Sequence, residues 1–292
     1  MYSGSLVAIV TPMRADGSID LAAWARLVDW HAQSGTSGIV VGGTTGESPT
    51  LTEPELRELT LRACEQGRHR VAVIAGAGTS STASTVARVK WLSELPIDGI
   101  LVVTPAYNRP PQEGLYRHFR AAAEASGKPL ILYNVPSRTA VDMLPATVGR
   151  LSQLPQVVAV KEAVPGAERV RELLGTCRPG FSVLSGDDAT AREAILAGAR
   201  GVISVTANVA PGAMAAMVAA ALRGDAAEAQ RLDAALAGVH RALFLEANPI
   251  PAKWALARLG RIERGIRLPL TELAEAHQPA VLAALEAAGS LD

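Results

Sequence analysis

Eight short apolar segments recur along the chain, and this repeat constrains the fold more than any other feature. Each segment after the first begins roughly 20–33 residues after its predecessor, with helical patterns between them. Strands covered on both faces are apolar throughout, so the alternation predicts βαβ units with parallel strands. The predicted strands are Leu6–Val10, Ile39–Val41, Val71–Ala75, Ile100–Val103, Leu130–Leu132, Val157–Val160, Phe181–Leu184 and Val202–Val205.

The number of repeats indicates how the sheet closes. Eight βα units predict an α/β fold of the (β/α)8 TIM-barrel type in preference to an open doubly wound sheet, because no GxGxxG motif follows the first strand. Beyond the eighth strand the pattern is only helical. We therefore expect a catalytic barrel over residues 1–223 and a small C-terminal helical domain over 224–292. The helices predicted after the eighth strand are Ala213–Leu222, Ala226–Leu245, Pro251–Leu259 and Glu272–Ala287.

Two barrel helices carry start signals. Thr52 and Glu55 have the spacing of a capping box, and Asp20 precedes an amphipathic stripe that begins at Leu21. The remaining barrel helices are predicted at Thr82–Leu92, Gln112–Ala125, Leu144–Leu151, Ala167–Leu174 and Ala189–Ala197.

Composition excludes several classes of function. The chain has 292 residues, of which 49% are hydrophobic, and its 28 basic residues balance its 28 acidic ones. Neither nucleic acid nor a membrane surface is therefore an expected partner. The uncharged run 201–222 is better explained by a strand and an Ala-rich helix than by a membrane span.

No secretion signal precedes Arg14, and Cys64 and Cys177 have the pattern of reduced thiols, so we expect a cytoplasmic protein. Five scattered histidines argue against a metal site.

Polar residues follow the predicted strands, at the edge where a barrel of this type forms its active site. Lys161 ends the sixth strand, directly after four apolar residues. It is either a surface charge that extends to solvent or a nucleophile whose charged form is disfavoured by burial. A desolvated lysine amine can form a Schiff base with a carbonyl compound. A salt bridge to Glu162 is disfavoured, since neighbours on a strand point to opposite faces.

The other rim residues each have a functional and a structural interpretation. Tyr133 could reach a substrate at the amine, or use its hydroxyl for structure alone. Thr44 and Thr45 could transfer a proton or bind a carboxylate, or they could simply form a glycine-rich turn. Arg138 could bind a carboxylate in bidentate fashion, or lie solvated in its loop. The adjacent pair Asp187-Asp188 is better explained as a helix N-cap than as paired catalytic carboxylates.

Several motifs in order give the chain a family resemblance that covers nearly its whole length. It resembles the bacterial dihydrodipicolinate synthase family, within the N-acetylneuraminate lyase superfamily of class I aldolases. The motifs are Gly43-Thr44-Thr45-Gly46-Glu47-Ser48, Tyr107-Asn108-Arg109-Pro110, Tyr133-Asn134-Val135-Pro136-Ser137-Arg138-Thr139, Lys161-Glu162-Ala163, Ser185-Gly186-Asp187-Asp188, Gly201-Val202-Ile203-Ser204-Val205 and Asn248-Pro249-Ile250-Pro251.

The resemblance implies a lyase that condenses pyruvate with L-aspartate-4-semialdehyde in diaminopimelate and lysine biosynthesis. It implies that Lys161 forms the Schiff base, and that no metal or organic cofactor is needed. It further implies a homotetramer, a dimer of dimers. The implied proton-relay residues are Tyr133, Thr44 and Tyr107, the last donated by a neighbouring subunit. The implied substrate-binding residues are Thr45 for the pyruvate carboxylate, Arg138 for the semialdehyde carboxylate, and Gly186 and Ile203 for main-chain contacts.

The sequence departs from the family pattern at two places. Ser137 stands where many relatives have glycine, so the loop before Arg138 is expected to be stiffer. In lysine-inhibited members an aromatic residue, an Asn, a Glu and a His line the inhibitor pocket. The corresponding residues here are Ala106, Ser80, Ser84 and Leu56. A lysine ammonium would lose its charge partner and its π face, so weak or no lysine inhibition is expected.

Two alternatives remain at this point. One is another Schiff-base lyase of the superfamily, acting on N-acetylneuraminate or a 2-keto-3-deoxy sugar acid. The pair Thr44-Thr45 and the contexts of Tyr107 and Arg138 favour the synthase. The other is a non-catalytic homologue that retains the pocket, against which the intact Lys161, Tyr133 and Tyr107 argue.

Overall fold

Eight parallel strands form a closed barrel in which each strand pairs with its neighbours along the chain. The computed structural model describes residues 2–290, and β8 pairs with β1 to close the sheet. The predicted (β/α)8 fold is thus confirmed, with every predicted strand present to within one or two residues. The strands are β1 Gly4–Ala8, β2 Gly38–Val41, β3 Ala72–Gly76, β4 Gly99–Val103, β5 Leu130–Asn134, β6 Val157–Glu162, β7 Ser182–Ser185 and β8 Gly201–Ser204.

Helices surround the barrel and continue beyond it. In the described part of the chain, no helix combines the length and the apolar character needed to span a bilayer. Short 3₁₀ turns cover Thr206–Asn208 and Glu275–His277. The α-helices are α1 Leu21–Gln33, α2 Glu53–Gly67, α3 Thr82–Ser93, α4 Gln112–Ala125, α5 Pro136–Thr139, α6 Pro145–Ser152, α7 Ala167–Thr176, α8 Ala191–Leu196, α9 Pro211–Leu222, α10 Ala226–Ala242, α11 Ile250–Arg258 and α12 Gln278–Ala287.

The pleat of the strands divides the core into two layers. On β1, Leu6 and Ala8 belong to a cluster inside the barrel, whereas Val7, and Ile9 just beyond the strand, pack outward against the helices. Successive side chains of a strand point to opposite faces, so a residue's place in the alternation decides its layer. The inner cluster comprises Leu6, Ala8, Val40, Ile74, Leu101, Ile131, Tyr133, Val135, Ala159, Leu184 and Ile203.

The predicted helix starts are confirmed in atomic detail. Asp20 accepts hydrogen bonds from the backbone N–H groups of Ala22 and Ala23, each at 3.0 Å. Thr52 and Glu55 cap α2 reciprocally: the Glu55 carboxylate accepts from the Thr52 N–H at 2.9 Å, and the Thr52 hydroxyl accepts from the Glu55 N–H at 3.4 Å. These caps satisfy N–H groups that the first turn of a helix leaves unpaired.

Two predicted helices differ in length from those observed. The helix predicted over Ala226–Leu245 ends at Ala242, and the one predicted over Glu272–Ala287 begins only at Gln278. Pro279 explains the later start, because proline has no N–H to donate and fits an α-helix only in its first turn. The chain before it forms the 3₁₀ turn.

The C-terminal segment is bonded to the barrel at several points. Side chains of Asn248, Lys253 and Arg267 donate to residues of the loop between β2 and α2. Helix α10 packs against α9 and α12. The division into a barrel of residues 1–223 and a helical domain of 224–292 stays a prediction.

Candidate active site

Lys161 lies inside the barrel, near the end of β6. Alternation from Ala159 turns its side chain inward, and the residue is only 5% exposed. The strand continues through Lys161 and Glu162, two residues further than the predicted end at Val160. The longer strand holds Lys161 by backbone pairing to both β5 and β7, so the amine is placed by the sheet rather than by a loop. The predicted surface interpretation of this lysine is excluded.

Tyr133 is the cross-strand neighbour of Lys161. The two residues are paired in the register of β5 and β6, and the Lys161 Nζ lies 4.3 Å from the centroid of the Tyr133 ring. Tyr133 is 6% exposed. The ring therefore covers the amine on one side and excludes water there, while its hydroxyl remains available for hydrogen bonding within the barrel mouth.

Thr44 and Tyr133 line the same small cavity at the carboxyl ends of β2 to β5. Its volume is about 30 Å³, enough for about two water molecules. Thr44 is half-buried, in the turn that follows β2. The cavity is lined by Gly42, Gly43, Thr44, Ser48, Gly76, Ala77, Gly78, Arg88, Leu101, Val103 and Tyr133. The structure thus brings together two of the predicted relay hydroxyls.

Thr45 and Arg138 are joined through a residue from the C-terminal segment. Asn248 donates from its side-chain amide to the Thr45 hydroxyl at 2.9 Å, and its backbone carbonyl accepts from the Arg138 guanidinium at 3.0 Å. Thr45 is 1% exposed, whereas Arg138 is exposed at the rim. Arg138 lies in the four-residue helix α5 rather than in the predicted loop. Pro136 favours this helix because its fixed φ suits a first turn.

Gly186 lies next to Lys161, and Ile203 lies elsewhere in the barrel interior. A Cβ atom on Gly186 would lie 3.1 Å from the Lys161 Cε, so only glycine leaves the lysine side chain unhindered. The Gly186 N–H donates to the Glu162 carbonyl at 2.6 Å. Ile203 is 1% exposed and belongs to the inner cluster. Both predicted positions therefore lie at the barrel interior.

Tyr107 stands apart from the other predicted site residues. It is 95% exposed and has a φ of 72°, in the left-handed region that non-glycine residues rarely adopt. Local strain of this kind persists only where the surroundings or a function maintain it. Within this chain, Tyr107 is presented to solvent and does not line the cavity.

Glu162 begins a polar network on the outer face of β6, which sequence reasoning missed. Its carboxylate accepts from the Asn134 amide at 3.0 and 3.1 Å and from the Val164 N–H at 2.8 Å. Asn134 also donates to Asp142, which Arg169 contacts at 2.6 Å. Burial raises the pKa of Glu162 to about 7, against the hydrogen bonds that lower it. The predicted absence of a Lys161–Glu162 salt bridge is confirmed.

The predicted helix-capping role of Asp187-Asp188 is wrong. Asp188 is 2% exposed and accepts from the backbone N–H groups of Val205 and Thr206, at 2.8 and 2.9 Å. Asp187 closes a turn by accepting from Thr190, and neither carboxylate accepts from a residue of α8. Asp188 therefore fixes the chain after β8. Its partners are 17 and 18 residues away, which local sequence could not reveal.

A buried ion pair also escaped prediction. Glu47 is 2% exposed, has a φ of 58°, and pairs with Lys253, which is 4% exposed. The second Glu47 oxygen accepts from the Arg267 N–H at 3.1 Å. Burial lowers the pKa of Lys253, and the adjacent Glu47 opposes that shift. The pair anchors the turn that carries Thr44 and Thr45 to the C-terminal helices.

A closed parallel barrel with a desolvated lysine beside a tyrosine at its mouth defines a TIM-barrel protein equipped for Schiff-base chemistry. The chain belongs to the dihydrodipicolinate synthetase family, whose model matches residues 1–288.

Individual relatives match over their full length. A 4-hydroxy-tetrahydrodipicolinate synthase from Alkalilimnicola ehrlichii is 53% identical, with 100% of each chain covered. The crystal structure of the chloride-inhibited dihydrodipicolinate synthase from Acinetobacter baumannii, complexed with pyruvate, has a TM-score of 0.97 at 46% identity, with 99% of each chain covered. The structure of a monomeric dihydrodipicolinate synthase variant also has a TM-score of 0.97, at 40% identity, covering 99% of this chain and 98% of that one.

Proposed function

We propose that this chain is a lyase, a 4-hydroxy-tetrahydrodipicolinate synthase, which condenses pyruvate with L-aspartate-4-semialdehyde. The observation that carries the proposal is the Lys161 amine, buried in the barrel and 4.3 Å from the Tyr133 ring centroid. The names of the full-length relatives support the same reaction. The product belongs to diaminopimelate and lysine biosynthesis.

The proposed chemistry begins with attack of the Lys161 amine on the ketone of pyruvate. Water leaves, and the resulting iminium withdraws electrons, so that the pyruvate methyl group loses a proton and an enamine forms. The enamine carbon attacks the aldehyde carbon of the semialdehyde, whose oxygen takes up a proton. The amino group of the semialdehyde then attacks the iminium carbon, closes the ring and displaces the Lys161 amine.

Each predicted site residue has a place in this scheme. Tyr133 and Thr44 line one cavity and pass protons to and from the reacting carbons. The buried Thr45 hydroxyl donates to the pyruvate carboxylate, and Gly186 and Ile203 contact pyruvate along the inner wall. The exposed Arg138 binds the carboxylate of the incoming semialdehyde at the rim.

We propose that the active assembly contains more than one chain, as in a homotetramer built from two dimers. The support is Tyr107, whose strained and 95% exposed conformation suits donation to a neighbouring subunit. Mixing inactive Lys161→Ala and Tyr107→Phe chains tests this. Hybrid assemblies would recover activity if Tyr107 acts on the partner, and none would recover if it acts within its own chain.

No metal or organic cofactor enters the proposed reaction. The iminium is itself the electron sink, and pyruvate is bound covalently as substrate rather than as a resident group. A cytoplasmic location is proposed from the two unpaired cysteines, which suit a reducing compartment.

Side-by-side turnover distinguishes the synthase from the sugar-acid lyases of the superfamily. The purified enzyme is supplied with pyruvate and either aspartate semialdehyde or N-acetylmannosamine or a sugar aldehyde. The proposal predicts a kcat/KM for the semialdehyde higher than for either sugar by several orders of magnitude. Comparable or faster condensation with a sugar would assign the chain to the other lyases, and turnover of neither would support the non-catalytic alternative.

A further inference from the structure

Asn248 occupies a position between the two proposed substrate-binding groups. It lies between α10 and α11 and is 5% exposed. Its side-chain amide contacts Thr45, the proposed pyruvate ligand, and its backbone carbonyl contacts Arg138, the proposed semialdehyde ligand. One residue of the C-terminal segment therefore contacts both carboxylate-binding groups of the barrel.

The direction of the hydrogen bond to Thr45 determines what its hydroxyl can do. A threonine hydroxyl has one proton and two acceptor lone pairs. Because Asn248 Nδ2 donates to the Thr45 Oγ1, the hydroxyl accepts there and keeps its proton for another partner. A substrate carboxylate accepts hydrogen bonds and cannot donate them, so this polarity is the one that pyruvate binding requires.

The side-chain oxygen of Asn248 has no hydrogen-bond partner among the described residues, which argues against a merely structural role. This oxygen, Oδ1, is buried. A buried amide with one unpaired oxygen is a poor stabiliser, because the desolvation of that oxygen is not compensated. Asn208 shows the contrast: it is fully buried, its oxygen accepts from Val10, and its nitrogen donates to Ala8 and Val205.

A second contact joins the region of Asn248 to the turn that contains Thr44 and Thr45. Lys253, five residues further along the chain, pairs with Glu47, which is two residues beyond Thr45. Two parallel links therefore join the α11 region to this turn, and both are buried. The ion pair therefore helps to hold the main chain at Asn248 beside the turn that carries Thr45.

We propose that Asn248 is a positioning residue that fixes the polarity of the Thr45 hydroxyl for the pyruvate carboxylate, while its backbone carbonyl orients Arg138. The inference rests on the proposed function and deepens it. It gives the C-terminal segment an indirect part in substrate binding, through Thr45 and Arg138. The Asn248 side chain acts on pyruvate binding through Thr45, and its main-chain carbonyl acts on semialdehyde binding through Arg138.

A double-mutant cycle on Asn248 and Thr45 tests the proposal. Asn248→Ala is expected to raise the KM for pyruvate about tenfold, the loss expected for weakening one hydrogen bond to a charged group, with a much smaller effect on kcat. In the Thr45→Val background, where no hydroxyl remains to be oriented, the same change is expected to alter that KM less than about twofold. Equal increases in both backgrounds would overturn the proposal.

Asn248→Asp provides a nearly isosteric probe of the hydrogen-bond direction. A carboxylate only accepts, so the Thr45 hydroxyl would donate its hydrogen bond to the introduced carboxylate rather than to pyruvate, and a negative charge would be added beside the pyruvate site. The KM for pyruvate is expected to rise more than in Asn248→Ala, and an unchanged KM would contradict the proposed polarity. The KM for the semialdehyde should stay within about twofold, because the carbonyl that holds Arg138 is retained; a rise confined to the semialdehyde would also overturn the proposal.

Asn208→Ala is the matched control for a buried structural asparagine. It is expected to lower the thermal midpoint and leave the KM for pyruvate unchanged, whereas the Asn248 variants change the KM with less effect on the midpoint. Borohydride trapping of pyruvate on the wild-type enzyme separates the two proposals. Absent trapping would refute the Schiff-base function itself, whereas normal trapping with an unchanged KM in every Asn248 variant would refute only the role of Asn248.

Discussion

The Lys161 amine and the Tyr133 ring are cross-strand neighbours inside the barrel, with the Nζ atom 4.3 Å from the ring centroid. Both residues belong to paired strands, so the sheet rather than a loop places the ring beside the amine. Under the proposed function, this arrangement pre-organises the proposed proton-transfer group beside the proposed nucleophile, which lowers the entropic cost of bringing them together.

Tyr133→Phe separates the hydroxyl of this pair from its ring. The variant keeps the aromatic cover over Lys161 and removes the proton-transfer group, so we expect kcat/KM to fall about 10²- to 10⁴-fold with little change in thermal stability. Steady-state kinetics at saturating semialdehyde measure this. Tyr116→Phe, in which the lost hydroxyl belongs to a ring stacked on Arg150 outside the cavity, should keep full activity. Equal activity in both variants would exclude Tyr133 from the relay.

Gly186→Ala introduces a methyl group 3.1 Å from the Lys161 Cε. We expect the displaced lysine to lower kcat/KM about 10- to 100-fold, because misplacement by a fraction of an ångström is costly at a reacting centre. Gly175→Ala is the control, since a Cβ atom there meets nothing within 4 Å. It should leave kinetics unchanged and stabilise α7 by about 0.5–1 kcal/mol. Wild-type kinetics in Gly186→Ala would show that the wall tolerates a side chain.

Glu162 predicts a pH dependence of stability. Its pKa is raised from 4.5 to about 7, so the folded state binds its proton more tightly than the unfolded state. The contribution is fully present below pH 4.5 and is lost as the pH rises through 7. The free energy of unfolding should therefore fall by about 3 kcal/mol over this window, relative to a variant that cannot titrate.

Glu162→Gln is that variant, and denaturant unfolding at several pH values measures the difference. The free energy of unfolding of the wild type should exceed that of the variant by the most near pH 4.5. This difference should decrease steadily up to pH 7. A difference that is constant with pH would show that Glu162 is ionised throughout, stabilised by its hydrogen bonds to Asn134 and Val164.

Lysine is expected to inhibit this enzyme weakly or not at all. The four positions that correspond to the inhibitor pocket carry no acidic or aromatic side chain. The Ser80 hydroxyl, between β3 and α3, donates at 2.9 Å to the Ala106 carbonyl in the next loop, between β4 and α4. Leu56 is 4% exposed and offers only an apolar surface. A coupled assay with added lysine checks this, and clear inhibition at sub-millimolar lysine would contradict it.

The sequence predicted most of the fold because the relevant signals are local. Apolar runs located all eight strands, and the capping pattern at Thr52 located a helix start to the residue. The same runs placed Lys161 at the rim, although they ended its strand at Val160 instead of Glu162.

The wrong or missing predictions concern residues whose hydrogen-bond or ion-pair partners lie far away in the chain. Asp188 has the sequence context of a helix cap, but its hydrogen bonds go to Val205 and Thr206. Asn248 and Lys253 bind residues more than 200 positions away. A buried cation invites a search for a buried anion, yet 28 acidic residues offer too many candidates for sequence alone to select Glu47.

Borohydride reduction in the presence of pyruvate is the decisive test of the Schiff base proposed at Lys161. Reduction converts the imine into a stable secondary amine, so intact-mass and peptide measurements report both the adduct and its position. Each wild-type chain is expected to gain one carboxyethyl group, carried by Lys161 in the modified peptide, and Lys161→Ala is expected to gain none. An unmodified wild-type chain, or a gain that persists in Lys161→Ala, would contradict it.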